Sequence, residues 1–304
     1  MKANWFGALA TTLLLGLIVS AVQADDLWLV DFEAAKAKAA KEGKDILMEF
    51  TGSDWCPPCI ALHDKVLTKD VFREKTPEKY VLLKLDTPKD KSKQTPAEIE
   101  QYKRLSSEYK ITGVPTIILA DAKGRPFAKN VGYSGAEADK YVGELLEKTK
   151  LRETRDDRLA KAEAAQGGEK AKLLGEAIGD IDSELAVATY RDVVDQIISL
   201  DADNAQGMKS KFEGLIKVGE VRSALNELRQ TAGAAGPEEL LKRIDDLMQR
   251  LEPTGEGLQE VLFLKANVLF RTDKAKSKET LLAAAKAAPA SNMAKQITLI
   301  IERN

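Results

Sequence analysis

Cysteine and histidine are scarce in this sequence, which contains two cysteines and one histidine in 304 residues. Two cysteines are too few for the disulfide framework that stabilises many small secreted domains. A zinc site on Cys56, Cys59 and His63 would lack a fourth cysteine or histidine ligand. A c-type haem site would need a histidine directly after Cys59, where the sequence has Ile60. We therefore expect neither a metal nor an organic cofactor, and we interpret His63 as a surface or packing residue.

An excess of charge of either sign is also lacking. The sequence has 46 lysines and arginines against 48 aspartates and glutamates, a net charge of −2. This balance argues against a generally basic nucleic-acid-binding protein and against a disordered acidic tail. Hydrophobic residues make up 44% of the chain, which is typical of a globular protein, and the length allows roughly two domains.

Long hydrophobic runs are absent except at the N-terminus. Lys2 precedes an uncharged segment over residues 3–24 that contains the apolar run 13–19. This pattern predicts a signal peptide over residues 1–24, cleaved after Ala24, and hence an exported, periplasmic or extracytoplasmic protein without stable membrane insertion. The alternative is an uncleaved membrane anchor, but the apolar run is shorter than the roughly 20 residues that span a bilayer.

Residues 25–150 alternate between helix and strand patterns. Helices are indicated by apolar residues at helical spacing and strands by short apolar runs, some of them bounded by turn residues. Alternating elements of this kind predict an α/β domain with a mixed sheet flanked by helices. We predict helices over 31–41, from the CPPC segment onward, over 97–109 and from near Ala136, strands over 46–50, 80–85, 116–120 and 126–131, and a lysine-rich loop over 87–94.

Strand patterns stop near Lys150, after which alanine, leucine, glutamate and lysine dominate at helical spacing. We therefore predict an all-α domain of helical hairpins over residues 151–304, with its boundary in the charged stretch 150–158. The ends of segments 190–204 and 279–292 resemble those of tetratricopeptide units, although the usual tryptophan, glycine and tyrosine landmarks are missing. A helical repeat and a plain helical bundle both fit this half of the chain.

The two cysteines belong to a single WCPPC segment, residues 55–59. At the start of a helix their sulfurs would lie one turn apart, near enough to form a disulfide. Cys56 would lie at the helix cap, more exposed and facing the positive end of the helix, which favours its thiolate. We therefore predict that Cys56 attacks a client disulfide and that Cys59 resolves the mixed disulfide.

Two prolines separate the cysteines. They are tolerated in the first turn of a helix, where backbone N–H groups have no intrahelical acceptor. They also remove two N–H groups beside the Cys56 sulfur, so we expect the thiolate to be only moderately stabilised. This places the pair on the reducing side of its class.

The sequence resembles the thioredoxin superfamily, in particular exported thioredoxin-like proteins, over about residues 27–148. The resemblance rests on the strand 46–50, the segment FTGSDWCPPC that ends at Cys59, and the Gly-Val-Pro-Thr sequence at 113–116. It implies a thioredoxin fold, a cis peptide bond before Pro115, and a client-peptide groove formed where that loop packs against the disulfide. The predicted substrate-binding residues are Trp55, Val114 and Pro115.

Glu49 stands in the first core strand, at the position where this family commonly keeps a buried acid. Burial would raise the pKa of a carboxyl there, and the group could take the proton from Cys59 during resolution. The alternative is a polar residue at a strand edge.

The predicted function is that of an exported thiol-disulfide oxidoreductase whose redox disulfide joins Cys56 and Cys59. Its partners would be client proteins with thiols or disulfides and a redox partner that the sequence does not identify. The alternative is a helical-repeat interaction protein whose thioredoxin-like domain mainly binds clients. The loop 89–93 is either a patch that steers an acidic partner or an ordinary solvated loop.

Overall fold

A five-stranded sheet organises the first half of the protein. The computed structural model describes residues 27–231 and 236–303, so the predicted signal peptide lies outside the described residues. The strand order is β1-β3-β2-β4-β5, with β1, β3 and β2 parallel and with β4 and β5 joined by antiparallel pairing. The strands are β1 (Trp28–Leu29), β2 (Asp45–Thr51), β3 (Tyr80–Asp86), β4 (Thr116–Ala120) and β5 (Pro126–Val131).

Helices cover both faces of this sheet, so every residue of the central strand β2 is buried. Alternate residues of a strand point to opposite faces. Ile46, Met48 and Phe50 belong to the core beside α1 and α4, and Leu47 belongs to the core beside α2, α3 and α5. These helices are α1 (Phe32–Glu42), α2 (Pro57–Leu62), α3 (Asp70–Lys79), α4 (Pro96–Glu108) and α5 (Ala138–Glu147).

The helix and strand limits follow local signals in the sequence. Helix α1 begins after Asp31, whose side chain accepts a hydrogen bond from the Ala34 N–H, and it ends at Gly43 in the left-handed region. Gly124 closes the β4–β5 turn with φ of 84°, and a Cβ there would lie 2.8 Å from the Phe32 ring. These observations confirm the predicted mixed α/β fold and place most element ends within one or two residues of the prediction.

Two elements of this half were not predicted. Helix α3 is strongly polar and contains Pro77, so its apolar pattern is weak. It forms because Phe72 is buried and its ring stacks on Trp28, with 6.0 Å between the ring centroids. The two-residue strand β1 carries Trp28 and pairs with β3.

The second half is α-helical, as predicted, within the described residues. Three successive cores connect its helices: the first is shared with the sheet, the second joins α10 to α12, and the third joins α12 to α14. A helical repeat remains a prediction. The helices are α6 (Thr149–Ala164), α7 (Gly167–Ile178), α8 (Ser183–Thr189), α9 (Arg191–Leu200), α10 (Met208–Thr231), α11 (Pro237–Leu251), α12 (Gly255–Leu269), α13 (Lys274–Ala287) and α14 (Asn292–Arg303).

A buried arginine ties the helical half to the sheet. The side chain of Arg155 in α6 is 4% exposed and lies 3.0 Å from the Asp121 carboxylate in the β4–β5 turn. Its Nη1 donates to Tyr190 Oη at 2.6 Å, and Tyr190 Oη in turn donates to the Pro126 carbonyl at 2.8 Å. Helix α6 starts at Thr149 and packs directly on the sheet, so no gap in packing marks the start of the helical half. The domain boundary near residue 150 therefore remains a prediction.

In the ranges 27–231 and 236–303, no helix combines the length and the apolar character needed to cross a bilayer.

Candidate active site

A disulfide lies at the start of α2. It joins Cys56 to Cys59, with 5.2 Å between their Cα atoms. Cys56 is the N-cap residue in extended conformation, and Pro57 and Pro58 form the first two helical positions. Proline at these positions costs no helical hydrogen bond, which explains why the WCPPC segment can open a helix.

The loop before β4 covers this disulfide. The peptide bond between Val114 and Pro115 is cis. The Val114 carbonyl oxygen lies 3.5 Å from Cys56 Sγ, and the Pro115 carbonyl accepts a hydrogen bond from the Gly132 N–H at 2.8 Å. The sequence predicted a more exposed Cys56, but the difference is small, since Cys56 is 3% and Cys59 1% exposed. The structure thus brings Cys56, Cys59, Val114 and Pro115 together.

One backbone N–H group points at the Cys56 sulfur. The Cys59 N–H donates to Cys56 Sγ, with the nitrogen 3.3 Å from the sulfur, and the same nitrogen also lies 3.0 Å from the Cys56 carbonyl oxygen. An N-cap side chain normally accepts from the second or third residue of the helix. Pro58 occupies the second position and has no N–H to offer.

We expect Pro58→Ala to raise the reduction potential of the disulfide by about 30 mV. The new N–H at the second helical position would stabilise the Cys56 thiolate, and a hydrogen bond to a charged group contributes about 1.5 kcal/mol or more. Equilibration with a dithiothreitol redox buffer measures this. Pro57→Ala is the matched control, because the N–H at the first position does not reach the cap side chain. An equal rise in both variants would contradict the assignment.

Trp55 stands beside the disulfide with 48% of its surface exposed. Its Nε1 donates to the Thr87 carbonyl at 2.8 Å, and a Cβ on Gly52 would meet its ring at 2.6 Å. The Asp54 carboxylate accepts hydrogen bonds from the Lys89 and Asp90 N–H groups, which together hold its pKa below the usual range. These contacts fasten the lysine-rich loop to the segment that precedes Cys56.

Glu49 is buried in the interior of the sheet, so the alternative of a polar residue at a strand edge is wrong. It pairs in register with Lys84 of β3 and with Ile117 of β4. The strand alternation puts it on the same face as Leu47, the face covered by α2 and α5. Burial raises the pKa of Glu49 to about 7, against the opposing effects of Lys84, a hydrogen bond with Thr51, and His63.

A cavity of about 190 Å³ connects Glu49 with the deeper cysteine. Glu49, Cys59, His63 and Lys84 all contribute to its wall. Sequence reasoning placed Glu49 and Cys59 in one mechanism but treated His63 as an ordinary surface or packing residue. The signal that could have found it was its spacing, one helical turn after Cys59. The remaining lining residues are Thr51, Ser53, Ile60 and Asp64.

Across the described part of the chain, no group of three or more histidine, cysteine, aspartate and glutamate side chains is arranged to hold a metal ion. The chemistry available at this site is that of the sulfur pair, a buried carboxyl group and a neighbouring imidazole.

Comparison with known proteins finds similarity over the part of the chain that contains this site. A sequence model of the thioredoxin-like domain matches residues 32–145. The chain is 28% identical over 131 residues to the disulfide bond reductase DsbH of Chlamydia pneumoniae, a match that covers 43% of this chain and 78% of that protein. It is 28% identical over 142 residues to the thioredoxin-related protein DsbJ of the same organism, covering 44% of this chain and 40% of DsbJ.

A solved structure of a DsbH oxidoreductase shares 27% identity with the chain, with a TM-score of 0.38 and coverage of 41% of this chain and 84% of that one. The range 32–145 matched by the family model contains the disulfide, Glu49 and the cis-proline loop. Residues 32–145 are therefore a thioredoxin-like domain, and this half of the chain is homologous to DsbH and DsbJ.

Proposed function

We propose that this protein is an exported thiol-disulfide oxidoreductase that reduces disulfides of client proteins through Cys56 and Cys59. The observation that carries the proposal is the disulfide at the start of α2, packed against the cis-proline loop of a thioredoxin-like domain. A relative named as a disulfide bond reductase supports the same chemistry.

The mechanism starts from the dithiol form. The Cys56 thiolate attacks one sulfur of a client disulfide, and the other client sulfur leaves as a thiolate. Cys59 then loses its proton and attacks Cys56 Sγ in the mixed disulfide. The second client thiolate leaves, the client has gained two electrons, and Cys56 and Cys59 are joined as a disulfide. An external dithiol of unidentified origin returns the pair to the reduced form.

Glu49 accepts the proton that Cys59 loses. Both residues line the same cavity, and a carboxyl group with a pKa near 7 is about half ionised at neutral pH, which suits a general base. Glu49 is thus the catalytic base of the resolving step.

One observation favours the reducing direction. A single N–H group donates to Cys56 Sγ, so its thiolate receives limited stabilisation from the helix start. A less stabilised dithiol form corresponds to a more negative reduction potential, which makes the pair a donor of electrons.

The client-binding surface surrounds the disulfide. Trp55 and Ile60 are large apolar side chains that remain exposed on either side of it, and Val114 and Pro115 form the loop beside Cys56. Such a surface suits an unfolded or extended client segment with an apolar residue next to its disulfide.

Export rests on the sequence of residues 1–24, which has the charged start and apolar run of a signal peptide. The redox pair suits an oxidising compartment, where disulfides persist and require reduction or exchange.

A second candidate function is that of a protein-interaction module whose thioredoxin-like domain mainly binds clients. A groove of about 800 Å³ lies between the helical half and residues 110–112, next to the cis-proline loop. Its wall includes Ile111, Arg191, Leu215 and Ile216, a mixture of apolar and charged side chains that suits a polypeptide segment.

An insulin-reduction assay separates the two functions. We expect the purified protein to accelerate precipitation of insulin chains by dithiothreitol and Cys56→Ser to abolish the acceleration, because the attacking sulfur is gone. Lys65→Ala, which alters an exposed side chain outside the cavity and keeps both cysteines, should keep the activity. Inactivity of the parent protein would favour the interaction module.

A further inference from the structure

The only histidine of the sequence stands where α2 changes its winding. Helix α2 ends at Leu62, and His63–Leu67 form a π-helical turn. The Thr68 N–H donates to the His63 carbonyl at 3.1 Å, the wider spacing that defines this turn. Isolated π-helical turns often occur at functional sites.

The turn keeps its apolar residues in the core while His63 stays at the surface. Val66 and Leu67 are buried beside α5, whereas the His63 side chain is 57% exposed. His63 also lines the cavity that contains Glu49 and Cys59. The imidazole therefore borders both the solvent and the buried carboxyl group.

The Glu49 carboxyl group needs a route by which protons reach the solvent. It is 3% exposed, and in the resolving step it gains a proton that it must lose before the next turnover. The cavity of about 190 Å³ is large enough for several water molecules. Imidazole is the side chain that most readily gains and loses a proton near neutral pH.

We infer that His63 carries protons between Glu49 and the solvent. This inference rests on the proposed role of Glu49 in the resolving step. Cys59 gives its proton to the Glu49 carboxylate as its sulfur attacks Cys56. The Glu49 carboxyl group passes that proton across the cavity to the neutral imidazole of His63, and the imidazolium releases it to bulk water. His63 acts through Glu49 and not on the client disulfide, so it is a positioning residue for the resolving step.

The other charged groups around the cavity fit this path. Asp64 Oδ1 lies 3.0 Å from His63 Nδ1, which leaves Nε2 as the ring nitrogen for proton transfer. Lys84 faces Glu49 from β3 and stabilises its carboxylate, whereas Asp86 has the opposite effect. Tyr141 of α5 interacts with Glu49, but burial raises the pKa of its phenol, so it keeps its proton and does not compete.

The test measures the rate of the resolving step. Tryptophan fluorescence monitors this step after the reduced full-length protein is mixed with excess peptide disulfide. We expect His63→Ala to lower this rate about tenfold at pH 7, less than the roughly 100-fold effect of losing a direct general base. Free imidazole in the buffer should restore the rate of the variant and leave the parent unchanged. His63→Gln, which keeps a polar side chain, should be as slow as His63→Ala.

Two further variants make the outcome decisive. Lys65→Ala alters an exposed residue of the same turn that does not line the cavity, and it should keep the parent rate. In a Glu49→Gln background, His63→Ala should cause no additional loss, because both act on one proton. The relay would be overturned if His63→Ala lowered the rate by the same factor at every pH and free imidazole did not restore it. It would also be overturned if His63→Ala kept the parent rate while Lys84→Met lost rate and imidazole restored it. A Glu49→Gln rate equal to that of the parent across pH would instead remove Glu49 from the mechanism, whatever His63 does.

Discussion

Replacing Cys59 by serine is expected to leave Cys56 covalently joined to client proteins. Cys59 lies at the third helical position with its N–H directed at Cys56 Sγ, so it is the group placed to attack the mixed disulfide. Without it, the mixed disulfide has no internal route to resolution and survives until an external thiol reaches it. Non-reducing electrophoresis after thiol alkylation, followed by mass spectrometry of the excised bands, measures the trapped complexes.

The matched control is Cys56→Ser, which keeps the deeper cysteine and should capture few or no clients. The sequence has no third cysteine, so any mixed disulfide in either variant must pass through the one that remains. Efficient trapping by Cys56→Ser and none by Cys59→Ser would reverse the two roles. Trp55→Ala in the Cys59→Ser background should lower the yield of complexes, since it removes exposed apolar surface beside the disulfide.

Arg155→Met is expected to lower the free energy of unfolding by about 3 kcal/mol, the low end for removing one partner of a buried ion pair. The substitution roughly keeps the volume of the side chain but leaves the Asp121 carboxylate without its cation and Tyr190 Oη without its donor. The low end applies because Asp121 also accepts backbone hydrogen bonds from Lys123 and Arg125. Urea unfolding of the oxidised protein, followed by circular dichroism, measures the change.

Arg104→Met is the control for this variant, because Arg104 forms an exposed pair with Glu108 on one helix. Exposed pairs of this kind contribute less than about 1 kcal/mol. If both variants lost the same small amount, the buried network would not be what holds the helical half against the sheet. A loss confined to the helical half, seen as a second unfolding transition, would show instead that the two halves unfold separately.

The elements best predicted from sequence were those whose signals are local. Asp31 and Gly43 mark the ends of α1 through their own capping preferences, and the strands β4 and β5 are short apolar runs separated by a turn that needs Gly124. Helix α3 was missed for the opposite reason. It is held by Phe72 packing on Trp28, a contact between residues far apart in sequence.

The candidate site divides in the same way. Cys56, Cys59 and Pro115 carry recognisable motifs, and their mutual placement was expected from the family resemblance. The sequence left the burial of Glu49 undecided, because a single glutamate in a strand does not reveal whether helices cover it. His63 follows Cys59 by one helical turn, but that spacing alone does not show that both line one cavity with Glu49.

The sequence by itself determined that the chain has a single cysteine pair for thiol-disulfide exchange. Two cysteines in one WCPPC segment can pair only with each other or with another molecule. It also determined that a mixed α/β half is followed by a helical half, since strand and helix periods differ within a few residues. Only the tertiary structure decided that Glu49, Cys59 and His63 share one cavity and that Arg155 joins the helices to the sheet. Those relations depend on burial and on contacts between distant segments, which exist only once the chain has packed.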